Sequence, residues 1–150
     1  GLEWLERDFS SSSANIRVYG SLSEHVNHPS FARCGRYEKQ ITPYEECGII
    51  LMTTAQGMGL QIKAIEALAA GRAIVARLGA MRGLPPSQDA WIEVQSPTAM
   101  MAKIRELQNN PDMRHRQYQN ARDYYSRFLK SDRVLEQLRE AYIKVAGQGQ

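Results

Sequence analysis

Gly57-Met-Gly-Leu-Gln-Ile-Lys-Ala-Ile-Glu-Ala-Leu-Ala-Ala-Gly-Arg-Ala-Ile-Val-Ala76 decides how the chain is read. Its spacing predicts a glycine-containing loop, a helix of about three turns over 60–70, a stop at Gly71 and a buried strand over 73–76. Just upstream, Gly48-Ile-Ile-Leu-Met-Thr53 reads as an apolar strand, so the whole is a strand-loop-helix-strand unit. A helix start offers unpaired N–H groups and the positive end of the helix dipole, and both favour an anion. Gly57 and Gly59 allow a ligand to approach the backbone. Steps of four and three then place Gly59, Lys63 and Glu66 on one stripe, with a cation one turn from the anion site and a carboxylate beyond it.

A diphosphate at the loop, Lys63 against its charge and Glu66 accepting from sugar hydroxyls would make a coherent nucleotide site. The same residues also suit a solvated ion pair beside a plain connection, and spacing alone does not separate the two. Ile62, Ala64, Ile65, Leu68 and part of Ala69 are expected on the buried face, with small residues allowing close helix-to-sheet packing.

The run from Gly59 through Glu-Ala-Leu-Ala-Ala-Gly-Arg-Ala-Ile-Val-Ala76, with Gly79 and Gly83-Leu84 after it, resembles the donor-binding motif of group 1 (family 4) glycosyltransferases of the GT-B fold. Pro43-Tyr-Glu-Glu-Cys-Gly-Ile-Ile-Leu51 is similar to the family's approach to that loop. The segment Trp91 to Leu107 and Asn110-Pro-Asp-Met-Arg114 fit downstream, so the resemblance runs from about Gly35 onward. Two positions depart from it. Met58 stands where many members carry the first Glu of a Glu-x(7)-Glu pair whose second member matches Glu66, and Ala73 stands where Pro is frequent.

The resemblance implies a retaining, metal-independent transferase that binds a nucleoside diphosphate sugar and passes the sugar to an alcohol acceptor, in polysaccharide or glycolipid biosynthesis. Gly57, Met58, Gly59 and Leu60 would line the diphosphate, Lys63 would supply charge, Glu66 would hold the ribose, and Arg36 and Tyr37 would lie near the base. The family's first donor-domain strand and its N-terminal acceptor domain have no counterpart in these 150 residues. The acceptor domain is therefore expected in cis or in trans, and the isolated chain is expected to be inactive. A cytoplasmic location is implied, with room for peripheral contact at the inner face of a membrane. A second reading is a Rossmann-like scaffold that binds a protein or membrane partner without turnover.

Composition agrees with one globular domain: 43% of residues are hydrophobic and 23% charged. No apolar run approaches the ~20 residues that span a bilayer, and the N-terminus lacks a basic region followed by a hydrophobic one. The net charge of +3 is mildly basic. Cys34 and Cys47 lack neighbours at metal-ligand spacing and read as reduced thiols, and His25 and His28 lack a third ligand. No metal or cofactor beyond the donor is expected.

The remaining pattern predicts an α/β fold: a Rossmann-like parallel sheet of about four to five strands flanked by helices, with a helical C-terminal segment. A short helix is expected over 2–9 and strands over 15–20, 31–34 and 89–94. Helices are expected over 38–46, from Ser96-Pro97 to Leu107 with Met100, Met101, Ile104 and Leu107 buried, from Asp112 to Phe128, and from Ser131 or Asp132 through Leu135, Leu138 and Tyr142. Glu45 and Glu46 read as a solvated face. Arg77 and Arg82 fall at a strand's carboxyl end, where open α/β sheets bind ligands. The basic, tyrosine-bearing segment from Arg114 to Arg133 is interrupted by Asp123 and Asp132 and accompanied by no nucleic-acid motif, so no nucleic-acid partner is expected.

Overall fold

The computed structural model describes residues 2–6, 15–55 and 61–132. Helix α1 spans Leu2–Glu6, β1 Ile16–Tyr19, a 3-10 turn Ser21–His25 and β2 Phe31–Gly35. Helix α2 (Thr42–Glu46), β3 (Ile49–Met52), α3 (Ile62–Ala69) and β4 (Ala73–Arg77) follow. After them come β5 (Ile92–Val94), α4 (Pro97–Asn109), α5 (Pro111–Tyr124) and a π-helical turn over Tyr125–Leu129.

The strands and helices alternate as the pattern predicts, and every ladder is parallel. Among the described residues the ladders form two sheets, β1-β2 and β3-β4-β5, rather than one. Strand β4 pairs on both edges and is buried from Ala73 through Ala76. Its continuous apolar run reflects that double cover.

Helix boundaries follow local chemistry. Ser96 Oγ accepts the Ala99 N–H at 3.1 Å, and Pro97 occupies the first turn of α4, where its missing donor is harmless. Helix α3 closes on Gly71 at φ +60°, where the Gly71 N–H donates to the Leu68 carbonyl and the Arg72 N–H to the Ala67 carbonyl. That six-to-one and five-to-two pairing satisfies two orphan carbonyls and requires a left-handed residue. The arginine at 122 packs its side chain where a Gly71 Cβ would stand.

Two apolar layers sandwich the strands. One joins Leu5 of α1, Ile16 and Val18 of β1, Phe31 of β2, Ala73 and Val75 of β4, Val94 of β5 and the Met100, Met101, Ile104 and Leu107 stripe of α4. The other joins Tyr44, Met52, Ile74, Ala76, Trp91, Ala121 and Tyr124 with Ala64, Ala67 and Leu68 of α3.

Several boundaries differ from expectation. Helix α2 begins only at Thr42, because Pro43 is compatible with a first turn and not with the middle of a helix over 38–46. Strand β5 starts at Ile92, after the Ser87 hydroxyl has taken the Ala90 N–H in a turn. Ile62 is 66% exposed at the first turn of α3, so the buried stripe is Ala64, Ala67 and Leu68. The continuation past Phe9 and the helix beyond Asp132 lie outside the described residues.

Candidate functional site

The carboxyl ends of the strands bring the site residues together. Strand β2 runs into Arg36 and Tyr37, β3 into Thr53 and Thr54, and α3 places Lys63 in its first turn and Glu66 one turn later. Lys63 Nζ donates to Tyr37 Oη at 2.9 Å and to Glu66 Oε2 at 2.9 Å. The same ammonium lies 5.6 Å from the centroid of the Tyr37 ring. Tyr44 Oη donates to Glu66 Oε2 at 2.6 Å, and Gln40 Nε2 to Glu66 Oε1 at 2.6 Å.

These contacts set the charges. Burial works against ionised Glu66, but donors from Tyr44, Lys63 and Gln40 outweigh it and hold the carboxyl below its usual range. The Tyr37 hydroxyl raises the Lys63 ammonium above its usual value, burial opposes this, and Glu66 adds to the rise. Burial and the Glu66 acceptor push the Tyr44 phenol well up, so it stays a donor. The result is a fixed, fully charged pair with half of the Lys63 side chain open to solvent.

Lys63 and Tyr37 face a cleft of about 700 Å³ that also receives Tyr19, Tyr44, Thr53, Thr54 and Gln61. Glu66 is not among the lining residues: it stands behind Lys63 and holds it. A shallower hollow of about 350 Å³ adjoins the cleft at Tyr19, Tyr37 and Glu46 and is completed by Arg36, Cys34, Lys39 and Thr42. Arg36 and Tyr37 thus stand at one opening, with Tyr37 shared between the two cavities.

A second polar group closes one flank of the cleft. Tyr19 Oη donates to Glu46 Oε2 at 2.6 Å and Arg17 Nη1 donates to the same oxygen at 3.0 Å. The Tyr19 and Tyr37 rings meet edge to face at 6.1 Å. Burial, together with the Glu46 acceptor, keeps the Tyr19 phenol protonated. Burial also raises the Cys47 thiol, opposed by Tyr19 and Arg17, so this sulfur is held as the unreactive thiol.

Lys63, Glu66 and Tyr37 therefore meet, and Arg36 stands beside them. Gly57, Met58, Gly59 and Leu60 lie outside the described residues. Arg77 stacks on Trp4 at 4.8 Å, and neither it nor Arg82 lines the cleft. Glu46 is exposed, as read from the sequence, and on that surface it accepts from Tyr19 and Arg17. Two arginines of the basic segment are also packed: Arg114 donates to the Leu107 carbonyl at 2.9 Å, and Arg122 packs against Gly71.

Tyr44, Gln40 and Tyr19 are the participants that motif reading missed. The available signal was Tyr44 as the inward residue of a short helix, because a buried tyrosine usually finds a partner for its hydroxyl. Among the described residues no group of three or more metal-ligating side chains converges, and no helix is long and apolar enough to cross a membrane.

No protein family and no curated protein matches the chain by sequence. Among solved structures the chain is similar to Anabaena Alr3699/HepE in complex with UDP, with a TM-score of 0.66 at 14% identity. The match covers 77% of this chain and 32% of that protein, so the chain spans about a third of its length. The molecule accordingly has a Rossmann-like α/β fold, parallel sheets flanked by helices, of the kind seen in that UDP complex.

Proposed function

We propose that the chain is the donor-binding half of a GT-B glycosyltransferase, holding a nucleoside diphosphate sugar for retaining transfer to an alcohol acceptor in polysaccharide or glycolipid synthesis. The observation that carries this is Lys63: an ammonium steered by Tyr37 and Glu66 into a cleft at the carboxyl ends of parallel strands. In open α/β sheets that edge is where ligands sit. Its fold is shared with a protein solved in complex with UDP.

Each residue has a role in this reading. The backbone of Gly57, Met58, Gly59 and Leu60 donates to the diphosphate, and Lys63 offsets the charge that grows on the departing diphosphate. Because the ammonium is already oriented, little reorganisation accompanies the charge build-up. Glu66, expected from the sequence to hold the ribose, stands behind the cleft with both oxygens taken by Gln40, Tyr44 and Lys63, and its role in this reading is to orient the Lys63 ammonium. Tyr37 and Arg36 flank the base. An acceptor domain, in cis or in trans, completes the reaction and brings the acceptor alcohol to the sugar.

The test is ligand-dependent melting. UDP, GDP or ADP at millimolar concentration is expected to raise the melting temperature, since a ligand at 100 times its Kd stabilises by about 2.7 kcal/mol. Lys63→Ala should abolish the rise while leaving the unliganded melting temperature within a few degrees. If none of the three nucleotides moves the transition, the donor site is wrong.

A further inference from the structure

The hollow of about 350 Å³ beside the Lys63 cleft is built by local structure, and Tyr37 forms a wall of both. The β1-β2 ladder slips between Val18 and Tyr19, so Tyr19 stands opposite Gly35 and Cys34 is left as the extra residue of a bulge. Gly35 takes φ +70°, a left-handed value that turns the chain out of β2 into the loop carrying Arg36, Tyr37 and Lys39. From the other side comes α2. Thr42 and Glu46 lie four residues apart on it and share the face that lines the hollow, while Tyr44 points into the core.

Glu46 is the fixed acceptor of this hollow. Tyr19 Oη and Arg17 Nη1 both donate to its Oε2, at 2.6 Å and 3.0 Å. An ionised carboxylate has about four acceptor positions, roughly two on each oxygen. Oε2 is therefore filled, and Oε1 keeps its positions open, with no donor among the described residues. The loop supplies the opposite chemistry: Arg36 and Lys39 carry donors only, and neither side chain has a partner among the described residues. A planar ligand with neighbouring N–H donors on one edge and acceptors on another suits such a pair of elements. Guanine meets that demand, since N1–H and the N2 amino group are adjacent donors and O6 and N7 are the acceptors that arginine grips together. Uracil offers a single N–H between two carbonyls. Adenine and cytosine each place a bare ring nitrogen beside the amino group, so their lone pair would face the carboxylate.

We propose that Glu46 is the base-selecting residue of the nucleotide site and that the site takes a guanine nucleoside diphosphate sugar. The inference rests on the donor-site reading, in which Arg36 and Tyr37 flank the base, and it names that base. Guanine N1–H and N2–H donate to Glu46 Oε1, Arg36 donates to O6 and N7, and Tyr37 stands between the base and the diphosphate at Lys63. Tyr19 and Arg17 already hold the carboxylate, so little side-chain freedom is lost when the base arrives. The selectivity is modest. The Glu46 side chain is 47% exposed, so water re-solvates it beside a wrong base. The expected discrimination is about tenfold, well short of the roughly 10⁴-fold of a closed hydrogen-bonding pocket.

The test is isothermal titration calorimetry of the full chain with GDP, IDP, UDP and ADP. IDP keeps N1–H, O6 and N7 and lacks only the 2-amino group. GDP should bind about tenfold more tightly than UDP or ADP, with IDP between them. In Glu46→Gln the ratio of GDP to IDP affinity should fall to about one, because the amide turns its oxygen to Arg17 and Tyr19 and presents N–H to the base. Arg36→Ala should weaken GDP and IDP alike, since both keep the acceptors it would grip. Equal affinity for GDP and UDP, equal affinity for GDP and IDP, or a GDP preference that survives Glu46→Gln would each overturn the choice of base while the donor site stands. Binding by none of the four nucleotides would instead remove the donor site itself, and this inference with it.

Discussion

Strands β3 and β4 lie side by side in register, Ile49 opposite Ala73 and Met52 opposite Ala76, and yet they live in different environments. The sequence of β3, Ile-Ile-Leu-Met, is the more apolar, but Ile49, Ile50 and Leu51 are only half-buried, while β4 is at 0% exposure from Ala73 to Ala76. Hydrophobicity tells how much a strand can gain from cover. Pairing on both edges and helices on both faces decide how much cover it receives. The less apolar strand is the centre of the molecule because α3, α4 and α5 all close over it.

This contrast can be broken by truncation. Ile74→Ala should cost about 2–5 kcal/mol, the range for a fully packed aliphatic residue, as measured by urea unfolding. Ile50→Ala should cost clearly less, since part of its surface already meets water, and equal losses would mean that β3 is as well covered as β4. Next in size is Tyr44→Phe, which removes a hydrogen bond to a charged carboxylate and should cost about 1.5–3 kcal/mol.

The same residue sharpens the pH dependence. The Glu66 carboxyl is held below its ordinary value of 4.5 in the folded chain, so its stabilisation is present above that value and fades as pH falls through the lower folded value. Glu66→Gln should flatten this part of the acid limb in a melting-temperature profile between about pH 5 and pH 2. A smaller loss of about 1–2 kcal/mol is expected for Gly71→Ala, from a left-handed backbone, and it should grow if Arg122 cannot move aside. Arg17→Ala should change the melting temperature least, because its ion pair with Glu46 is exposed at both ends.

Much of this architecture was legible from periodicity and punctuation. The Met100, Met101, Ile104 and Leu107 stripe, the Ser96-Pro97 start and the Gly71 stop each follow from local rules, and each stands where expected. The division into two sheets was not legible, because a strand's sequence records its hydrophobicity and not whether a neighbour lies at both edges. For the site, spacing located Lys63 and Glu66 and the resemblance located Tyr37, and the three meet. What spacing could not supply was the partner set: Gln40, Tyr44 and Tyr37 are 26, 22 and 26 residues from the side chains they bond, and only folding brings them there.

One residue at the opposite end of the sheet has a mechanical consequence. Asn110 ends α4, its N–H donating to the Glu106 carbonyl, and begins α5, its side chain accepting the Met113 N–H at 2.9 Å. With a single residue serving both helices, the elbow has no slack. Helix α4 grips one apolar layer and α5 reaches the other through Ala121 and Tyr124, passing Gly48, where any Cβ would come within 2.8 Å of Tyr118 Oη. The pair acts as a rigid staple across the amino ends of the strands. Any opening or closing of this fold must then hinge at the carboxyl end, where the Lys63 cleft is.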